Sequence, residues 1–510
     1  MSTESHIIAE RKRKFEEWRK LGFDYASKFE RTHTSGEAKA VVEKKEPRDI
    51  AVILKKPASG VALCGRIMNL RDMGKLAFLR IRDGEGDFQI CLAKDILGED
   101  YKMFLRILDL GDFCGFEGEF FRTKHGEPTL LAVKVIPLAK TLRPLPEKFH
   151  GLTDREQCYR QRYLDMIANP ETFRRFQVRS NVVREIRKFL EKESFQEIET
   201  RTLQPQAGGA MARVFETHHN DFDHKFVLRI ALELDLKMAV GGGMERVFEI
   251  GKCFRNEGSD PSHLQEFTML EWYAAYRDMA WNMELTENLM RTVLQNVLGT
   301  TEIRILDKNE KPVQVDFGKK FHRERFPDLL KKFAKVDMFL ISRGDLEKEA
   351  LKWDMKKSEV KKASTGTLLD HIYKKSARPN LIEPTFVMDY PSELKPLARP
   401  REDGTAEVFQ LLVAGWEIVN SYGELVDPQI QRKLFEEQSA ARAAGDEETM
   451  ENDEEFLTAM EHGFPPMTGF GMGIDRFVTL ITEQSNLRDT ILFPLLKPER
   501  SHGKVFQQGV

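Results

Sequence analysis

The chain has 510 residues, of which 41% are hydrophobic and 32% are charged, and its formal net charge is −3. This length suggests on the order of three domains, and the near balance of charge excludes a global attraction to nucleic acid, so any such contact requires a local patch. Because no apolar run suits a membrane span or a signal peptide, and the five cysteines form no C-x-x-C pair, we expect a cytoplasmic protein that does not contact a membrane.

The first elements along the chain form an N-terminal segment, residues 1–55. Residues 6–30 carry apolar side chains at helical spacing among many charges, which predicts a helix that ends at Gly22. Such a helix suits packing on its own domain as well as it suits contact with nucleic acid. Residues 34–60 are rich in Lys, Glu and Gly and are predicted to form a loop.

Residues 56–145 change to short alternating strands. Five such strands between Val61 and Leu138, with a helical segment over 98–108, predict an OB-type β-barrel. Barrels of this type bind single strands through strand-borne aromatic side chains and polar groups, and Phe78, Gln89 and Glu127 are the candidates. Taken alone, each of the three is more often a core or a solvated residue.

Residues 146–510 mix helices with strands and lack a regular βαβ repeat. Asn169-Pro170-Glu171 is typical of a helix start, and the pattern predicts a helix to about Glu193. A Lys-rich, largely helical insertion is expected at about 320–380. Strand runs interspersed with helices predict an α+β domain with a mixed or antiparallel sheet flanked by helices.

The most informative stretch is a strand–loop–strand pattern. Val247–Ile250 and Phe267–Tyr273 are predicted strands, and the segment carries Arg255, Glu257 and Glu271. Unpaired charges are rarely buried in a core. A cleft that binds a charged ligand therefore explains them better than a solvated hairpin does.

Several motifs occur together and in order: GGAMARVFETHHN (208–220), RVFEIGKCFRNE (246–257), EFTMLEWY (266–273), NSYGELVD (420–427) and TGFGMGIDRF (468–477). Together they resemble the class II aminoacyl-tRNA synthetases, most closely the lysyl-tRNA synthetase family. The resemblance covers nearly the whole chain. It implies an anticodon-binding OB domain and a class II catalytic domain that act on ATP, L-lysine and tRNA(Lys), in a homodimer.

The resemblance implies two adjoining sites. Arg255 and Arg476 are the implied catalytic cations, because guanidinium groups match phosphate oxygens in pairs. The implied ATP-binding residues are Arg255, Glu257, His263, Phe267, Glu417 and Arg476. The implied lysine-binding residues are Gly209, Glu233, Glu271, Tyr273, Asn420, Tyr422 and Glu424.

The acidic pocket is the main physical argument for lysine. Lysine presents two ammonium groups, whereas a synthetase for aspartate would need basic partners. A buried acid left without its ammonium is costly, so discrimination against neutral side chains could reach roughly 10⁴-fold. Mg²⁺ is the implied cofactor, with Glu417 and Glu424 as its ligands, and Phe78, Gln89 and Glu127 would read the anticodon.

The sequence departs from the family pattern at several positions. Arg201 stands where a proline of the dimer-forming motif is expected, and Ser262 stands where a phosphate-binding arginine is expected. Gln410 replaces a second metal-binding acid, which puts the number of Mg²⁺ ions in question. Leu232 and Asp235 replace a proline and a tyrosine.

Two other functions stay open at this point. The chain could be a lysine ligase that acts on a protein, although such relatives lack the OB domain. It could also be a catalytically weakened paralogue that binds tRNA. Ser262 and Gln410 motivate the second function, and the intact Arg255, Glu257, Arg476 and Glu424 oppose it.

Overall fold

The computed structural model describes residues 3–55, 57–146, 152–206, 208–210, 212–258, 260–443 and 453–498. The chain divides into two compact units, Met1–Leu152 and Thr153–Val510. None of the helices in these described ranges is both long and apolar enough to cross a membrane.

The first unit is a closed five-stranded barrel with the strand order β1-β2-β3-β5-β4. Neighbouring strands run antiparallel except for β3 and β5, which are parallel. The strands are β1 (Val61–Asp72), β2 (Leu76–Asp83), β3 (Gly86–Ala93), β4 (Phe113–Arg122) and β5 (Pro128–Ala139). The helices are α1 (Thr3–Lys20), α2 (Ser35–Glu43), α3 (Ile50–Ile53), α4 (Lys94–Leu97) and α5 (Asp100–Ile107). The predicted OB-type barrel is confirmed.

The prediction of a loop over residues 34–60 is wrong, because α2 and α3 lie in it. Thr34 and Glu37 form a reciprocal capping box that satisfies free N–H groups at the start of α2. Ala38 and Val42 are fully buried against the barrel. The helix α2 was not predicted because its apolar face contains only a few residues and the segment is otherwise rich in Lys and Glu.

The second unit contains an eight-stranded sheet with the order β14-β15-β16-β17-β18-β11-β10-β6. It is mixed, since β14–β15 and β10–β6 are parallel pairs and the others are antiparallel. Its strands are β6 (Gln196–Glu197), β10 (Arg246–Phe254), β11 (Glu266–Ala275), β14 (His322–Arg325), β15 (Thr385–Met388), β16 (Val408–Val413), β17 (Trp416–Gly423) and β18 (Met467–Gly473). Two smaller sheets contain β7 (Leu203–Gln204), β8 (Glu216–His219), β9 (His224–Leu228), β12 (Glu302–Leu306) and β13 (Pro312–Asp316). The predicted α+β class is confirmed.

The helices of the second unit include the long α8, which begins at the predicted proline, and four helices within residues 320–380. The helices are α6 (Arg155–Arg160), α7 (Arg162–Ala168), α8 (Pro170–Lys192), α9 (Glu233–Gly241), α10 (Met279–Leu298), α11 (Phe326–Ala334), α12 (Arg343–Lys352), α13 (Lys357–Val360), α14 (Thr365–Ser376), α15 (Pro428–Ala443), α16 (Glu454–Glu461) and α17 (Ile474–Ile481). Single 3₁₀ turns occur at Arg378–Asn380, Ser392–Leu394 and Leu487–Thr490.

Because strand side chains point alternately to opposite faces, one face of the sheet is apolar and the other is polar near the β10–β11 hairpin. Phe248 of β10 lies opposite Trp272 of β11, and both are buried in the main hydrophobic core with residues of α8 and α10. One residue away, Glu249 lies opposite Glu271. The second face of this hairpin therefore carries carboxylates, and it is the face on which the candidate site is built.

Candidate active site

One cavity on the acidic face of the sheet has a volume of about 250 Å³. Eight residues singled out from the sequence line it, drawn from α9, β11, β17 and the segments beside them. They are Gly209, Glu233, Arg255, Glu271, Tyr273, Asn420, Tyr422 and Glu424. The structure thus brings all seven candidate lysine-binding residues and one candidate catalytic arginine together.

Glu271 is buried on β11 and is held by two donors. Its Oε1 accepts the Leu232 N–H at 3.2 Å, and its Oε2 accepts the Tyr273 hydroxyl at 3.2 Å. Burial and the nearby Glu233 raise the pKa of Glu271 to about 7, although these hydrogen bonds and Arg255 oppose the shift. A bound cation would favour the ionised form of this carboxyl group and would itself be bound more tightly.

A buried lysine that sequence reasoning missed joins the other two acids. Lys237, one turn after Glu233 on α9, has a side chain that is 1% exposed. Its Nζ lies 2.6 Å from Glu233 Oε1 and also contacts Glu424 Oε2. Burial lowers the pKa of Lys237, but the two carboxylates raise it more, so the ammonium stays charged.

Glu424 keeps an open acceptor in the cavity despite this contact. Its Oε1 is buried and has no hydrogen-bond partner within the described ranges. Burial raises the pKa of Glu424 to about 8, and Lys237 only partly offsets that effect. A buried acceptor without a partner is costly, and a ligand ammonium in the cavity would satisfy it.

Gly469 of β18 provides the space for this arrangement. A Cβ at this position would lie 2.2 Å from Glu424 Oε1 and 2.3 Å from the Tyr273 ring. Backbone alone therefore fits between the two side chains. Gly209, which has a φ of +81°, lies against Ala231 and Glu233 in the same way, with a Cβ clearance of 3.1 Å to each.

The other end of the cavity carries a second missed lysine. Lys395 lines the cavity, and its Nζ lies 3.5 Å from Asn420 Oδ1. Gln410 Nε2 approaches the same oxygen at 3.5 Å, while Gln410 Oε1 accepts the Tyr390 hydroxyl at 2.7 Å. The i,i+4 spacing of Glu233 and Lys237 could have indicated their ion pair, whereas no local pattern indicates the position of Lys395.

The candidate ATP residues lie along the neighbouring strands and loop. The Arg255 guanidinium lies 5.1 Å from the centroid of the Phe267 ring. Arg476 Nη1 donates to the Glu417 carbonyl at 2.8 Å. Glu257 and His263 are exposed on the loop between β10 and β11, where His263 Nδ1 lies 2.8 Å from Asp260 Oδ2.

The donor set does not fit an Mg²⁺ ion held by Glu417 and Glu424. Glu424 already contacts the Lys237 ammonium, and Glu417 Oε2 lies 3.7 Å from Arg378 Nη1. Gln410 offers a neutral amide whose oxygen is already bonded, and a hard cation prefers carboxylates. In the part of the chain that the structure describes, no group of three or more His, Cys, Asp or Glu could hold a metal.

Two departures from the family pattern contact one another. Arg201 Nη2 lies 3.2 Å from Asp235 Oδ1 and 2.9 Å from Glu455 Oε2. Arg201 replaces the expected proline and Asp235 the expected tyrosine. One unusual residue therefore provides the counter-ion of the other.

The barrel has a groove of about 640 Å³ of its own. Phe78, Gln89 and Glu127 all line it. Gln89 Nε2 donates to Thr129 Oγ1 at 3.0 Å, and Glu127 Oε1 lies 2.9 Å from Arg80 Nη2. Four cations and two acids also line the groove, so its lining is positive on balance: Arg48, Arg71, Arg80, Lys124, Asp49 and Glu127.

Comparison with known proteins agrees with both units. A family model described as tRNA synthetases class II (D, K and N) matches residues 154–497, and one described as an OB-fold nucleic acid binding domain matches residues 61–138. The chain is similar to the lysine–tRNA ligase of Cupriavidus necator, at 41% identity over 97% of this chain and 96% of the relative. It is similar to that of Escherichia coli K12 at 42% identity over 96% of this chain and 95% of the relative. These full-length matches, with the acid-lined cavity, show that the chain belongs to the lysine–tRNA ligases of class II.

Proposed function

We propose that the chain activates L-lysine with ATP and transfers the lysyl group to tRNA(Lys). The observation that carries this proposal is the set of three carboxylates, Glu233, Glu271 and Glu424, that line one cavity. Glu233 and Glu424 share the internal ammonium of Lys237, and Glu424 Oε1 is buried without a hydrogen-bond partner in the described ranges. The ammonium groups of lysine would satisfy these acceptors.

The arrangement favours a defined orientation of the substrate. Glu233 lies beside Gly209, and we assign this end to the α-amino group. Glu271 and the open Oε1 of Glu424 receive the side-chain ammonium. Tyr273, Asn420 and Tyr422 line the space between, where Asn420 Nδ2 donates to the Tyr422 hydroxyl at 2.7 Å and so fixes both side chains.

The first step needs no general base, because the lysine carboxylate is already a nucleophile. Its oxygen forms a bond to the α-phosphorus of ATP while the bond to the bridging oxygen breaks, giving lysyl-adenylate and pyrophosphate. Arg255 borders the lysine cavity and contacts Phe267, so it can hold the α-phosphate where adenine stacks on that ring. Catalysis then consists of positioning and charge neutralisation by Arg255 and Arg476.

The remaining ATP candidates take supporting roles in this proposal. Glu257 lies on the exposed loop where it can meet the adenine amino group, and His263 is fixed by Asp260 toward the outer phosphates. Mg²⁺ enters as the MgATP substrate. Glu417 orients Arg476 through its carbonyl oxygen.

In the second step, the ribose hydroxyl at the 3′ end of tRNA attacks the lysyl carbonyl and displaces AMP. The barrel groove would recognise the anticodon, with one base stacked on Phe78 and a base edge bonded by Gln89 and Glu127. The resemblance also supports a homodimer. Arg201, which pairs with Asp235, then lies in the motif associated with that interface.

Lysine-dependent exchange of pyrophosphate into ATP, followed by charging of purified tRNA, tests the proposal. We expect exchange with lysine and charging of tRNA(Lys). Absence of lysine-dependent exchange would refute the enzyme assignment and favour a tRNA-binding paralogue. Exchange without charging would favour a ligase that transfers lysine to a protein.

A further inference from the structure

The region around Glu417 contains more positive charge than its acids can balance. Five cations interact electrostatically with Glu417 or with one another there: Lys308, Lys374, Arg378, Lys395 and Arg476. Among the described residues, the acids that act on members of this cluster are Glu417, Asp370, Glu233 and Asp260, and Lys374 is paired with Asp370 at 2.6 Å. Arg255 also acts on Arg476. Six cations and four acids leave a surplus of positive charge.

Lys395 lies close to Gln410, the position where the family pattern implies a metal-binding acid. Its ammonium approaches Asn420, which Gln410 also approaches. It lies 5.4 Å from the centroid of the Tyr390 ring and 5.7 Å from that of Tyr422. An ammonium held by one long hydrogen bond and two aromatic faces keeps donor capacity for a ligand anion.

Gln410 and Lys395 both approach Asn420 Oδ1, at 3.5 Å each. Position 410 carries a neutral amide where the family pattern implies a carboxylate, and an ammonium lies beside it. The other carboxylate, Glu417, is already near Arg378 and Arg476.

We propose that Lys395 binds the ATP phosphates next to the reacting carboxylate and supplies the positive charge that a protein-held Mg²⁺ would otherwise provide. Arg378 and Lys308, which both interact electrostatically with Glu417, add to this positive charge. The inference rests on the proposed activation of lysine by ATP. The bond changes are those of that step, and Lys395 neutralises charge on the phosphate oxygens without transferring a proton.

The first test is a titration of Mg²⁺ against a fixed ATP concentration, with lysine-dependent pyrophosphate exchange as the readout. We expect the rate to saturate once Mg²⁺ equals the sum of ATP and pyrophosphate, since both bind Mg²⁺ and no further ion is needed. A second rise at higher free Mg²⁺ would overturn the inference. Absence of all exchange would instead refute the proposed function, so the two failures are distinguishable.

The second test measures Mn²⁺ binding to the ligand-free protein by electron paramagnetic resonance. We expect no bound Mn²⁺ that depends on Glu417. Binding that Glu417→Gln abolishes would overturn the inference, whereas binding that survives this change lies elsewhere and leaves it standing. The double variant Lys395→Met/Gln410→Glu should gain a Mn²⁺ site.

The third test removes the charge of Lys395. In Lys395→Met, kcat for exchange should fall on the order of 100-fold, as when an oxyanion-stabilising donor is removed. The lysine KM should change little, because Lys395 does not hold an ammonium. An unchanged kcat in the folded variant would overturn the inference, and so would equal changes in kcat and lysine KM. Lys348→Met, on exposed α12, is the matched control.

Discussion

At the scale of single residues, the proposed lysine site depends on acids that can bind an ammonium group. Glu424 is the acid with an open buried oxygen. Glu424→Gln should raise the lysine KM 10-fold or more, on the order of 1.4 kcal/mol, because a neutral amide loses the charge interaction. Kinetics of pyrophosphate exchange measure this, with the exposed Glu437→Gln of α15 as control. An unchanged lysine KM would contradict the assignment of Glu424.

Lys237 should affect the affinity for lysine although it does not line the cavity, because it contacts Glu233 and Glu424. In Lys237→Met, Glu233 and Glu424 lose their shared counter-ion, and one of them will take up a proton. We expect the lysine KM to rise about 10-fold and stability to fall by about 3–5 kcal/mol, as for other buried pairs that lose one partner. Exchange kinetics and urea denaturation measure the two effects.

The barrel offers a matched control for this variant. Lys140 is also fully buried, and its Nζ lies 2.8 Å from Asp112 Oδ2. Lys140→Met should destabilise its own unit and leave the lysine KM unchanged. If a folded Lys237→Met protein has a normal lysine KM, Lys237 has only a structural role.

The pKa of Glu271, raised to about 7, predicts how lysine binding depends on pH. Below pH 7 the free carboxyl group is mostly protonated, and a bound ammonium favours its ionised form. Binding then releases a proton, so the lysine KM should fall as the pH rises to 7. Glu424, whose pKa is raised to about 8, should extend the fall to about pH 8. KM measured from pH 5.5 to 8.5 checks this. Glu271→Gln should give a high KM and keep only the part of the slope that belongs to Glu424.

At the scale of elements, the Arg201–Asp235 pair connects the segment before β7 to α9. Both residues depart from the family pattern, and Arg201 is 40% exposed while Asp235 is 10% exposed. A double-mutant cycle with Arg201→Ala and Asp235→Ala should give a coupling free energy of about 0.5–1 kcal/mol. Chemical denaturation measures it. Strictly additive effects would show that the contact does not contribute to stability.

The sequence predicted elements well where alternation or a cap was visible. The five barrel strands and the β10–β11 hairpin follow the period of two in their apolar residues, and α8 begins at its predicted Pro170. The helix α2 was missed because its charged face dominates the composition, although Thr34 and Glu37 carried the capping signature.

The candidate site was less predictable, because its contacts join distant parts of the chain. The family motifs identified the residues that line the cavity. They gave no indication that Lys237 pairs with Glu424, or that Lys395 approaches Asn420, since each contact joins two separate segments. The net charge of the candidate site depends on such pairs, so it could be counted only from the three-dimensional structure.

At the scale of the whole molecule, two units carry separate steps. Phe78 lines the barrel groove, whereas the acid-lined cavity belongs to the second unit. Phe78→Ala should raise the KM for tRNA about 10-fold, because stacking of one base is worth about 1–3 kcal/mol. Pyrophosphate exchange should not change. Phe113→Ala, on β4 outside the groove, should affect neither reaction, and an equal loss of exchange in Phe78→Ala would refute the separation.

The contact between Arg201 and Asp235 also restricts how this chain can diverge from here. Restoring the family's proline at 201 alone leaves Asp235 without its arginine, and restoring the tyrosine at 235 alone leaves Arg201 with only the exposed Glu455. Each single reversion should therefore lose the coupling free energy of the pair, about 0.5–1 kcal/mol. A chimaera that exchanges only one of the two segments with a relative should lose the same contribution to stability.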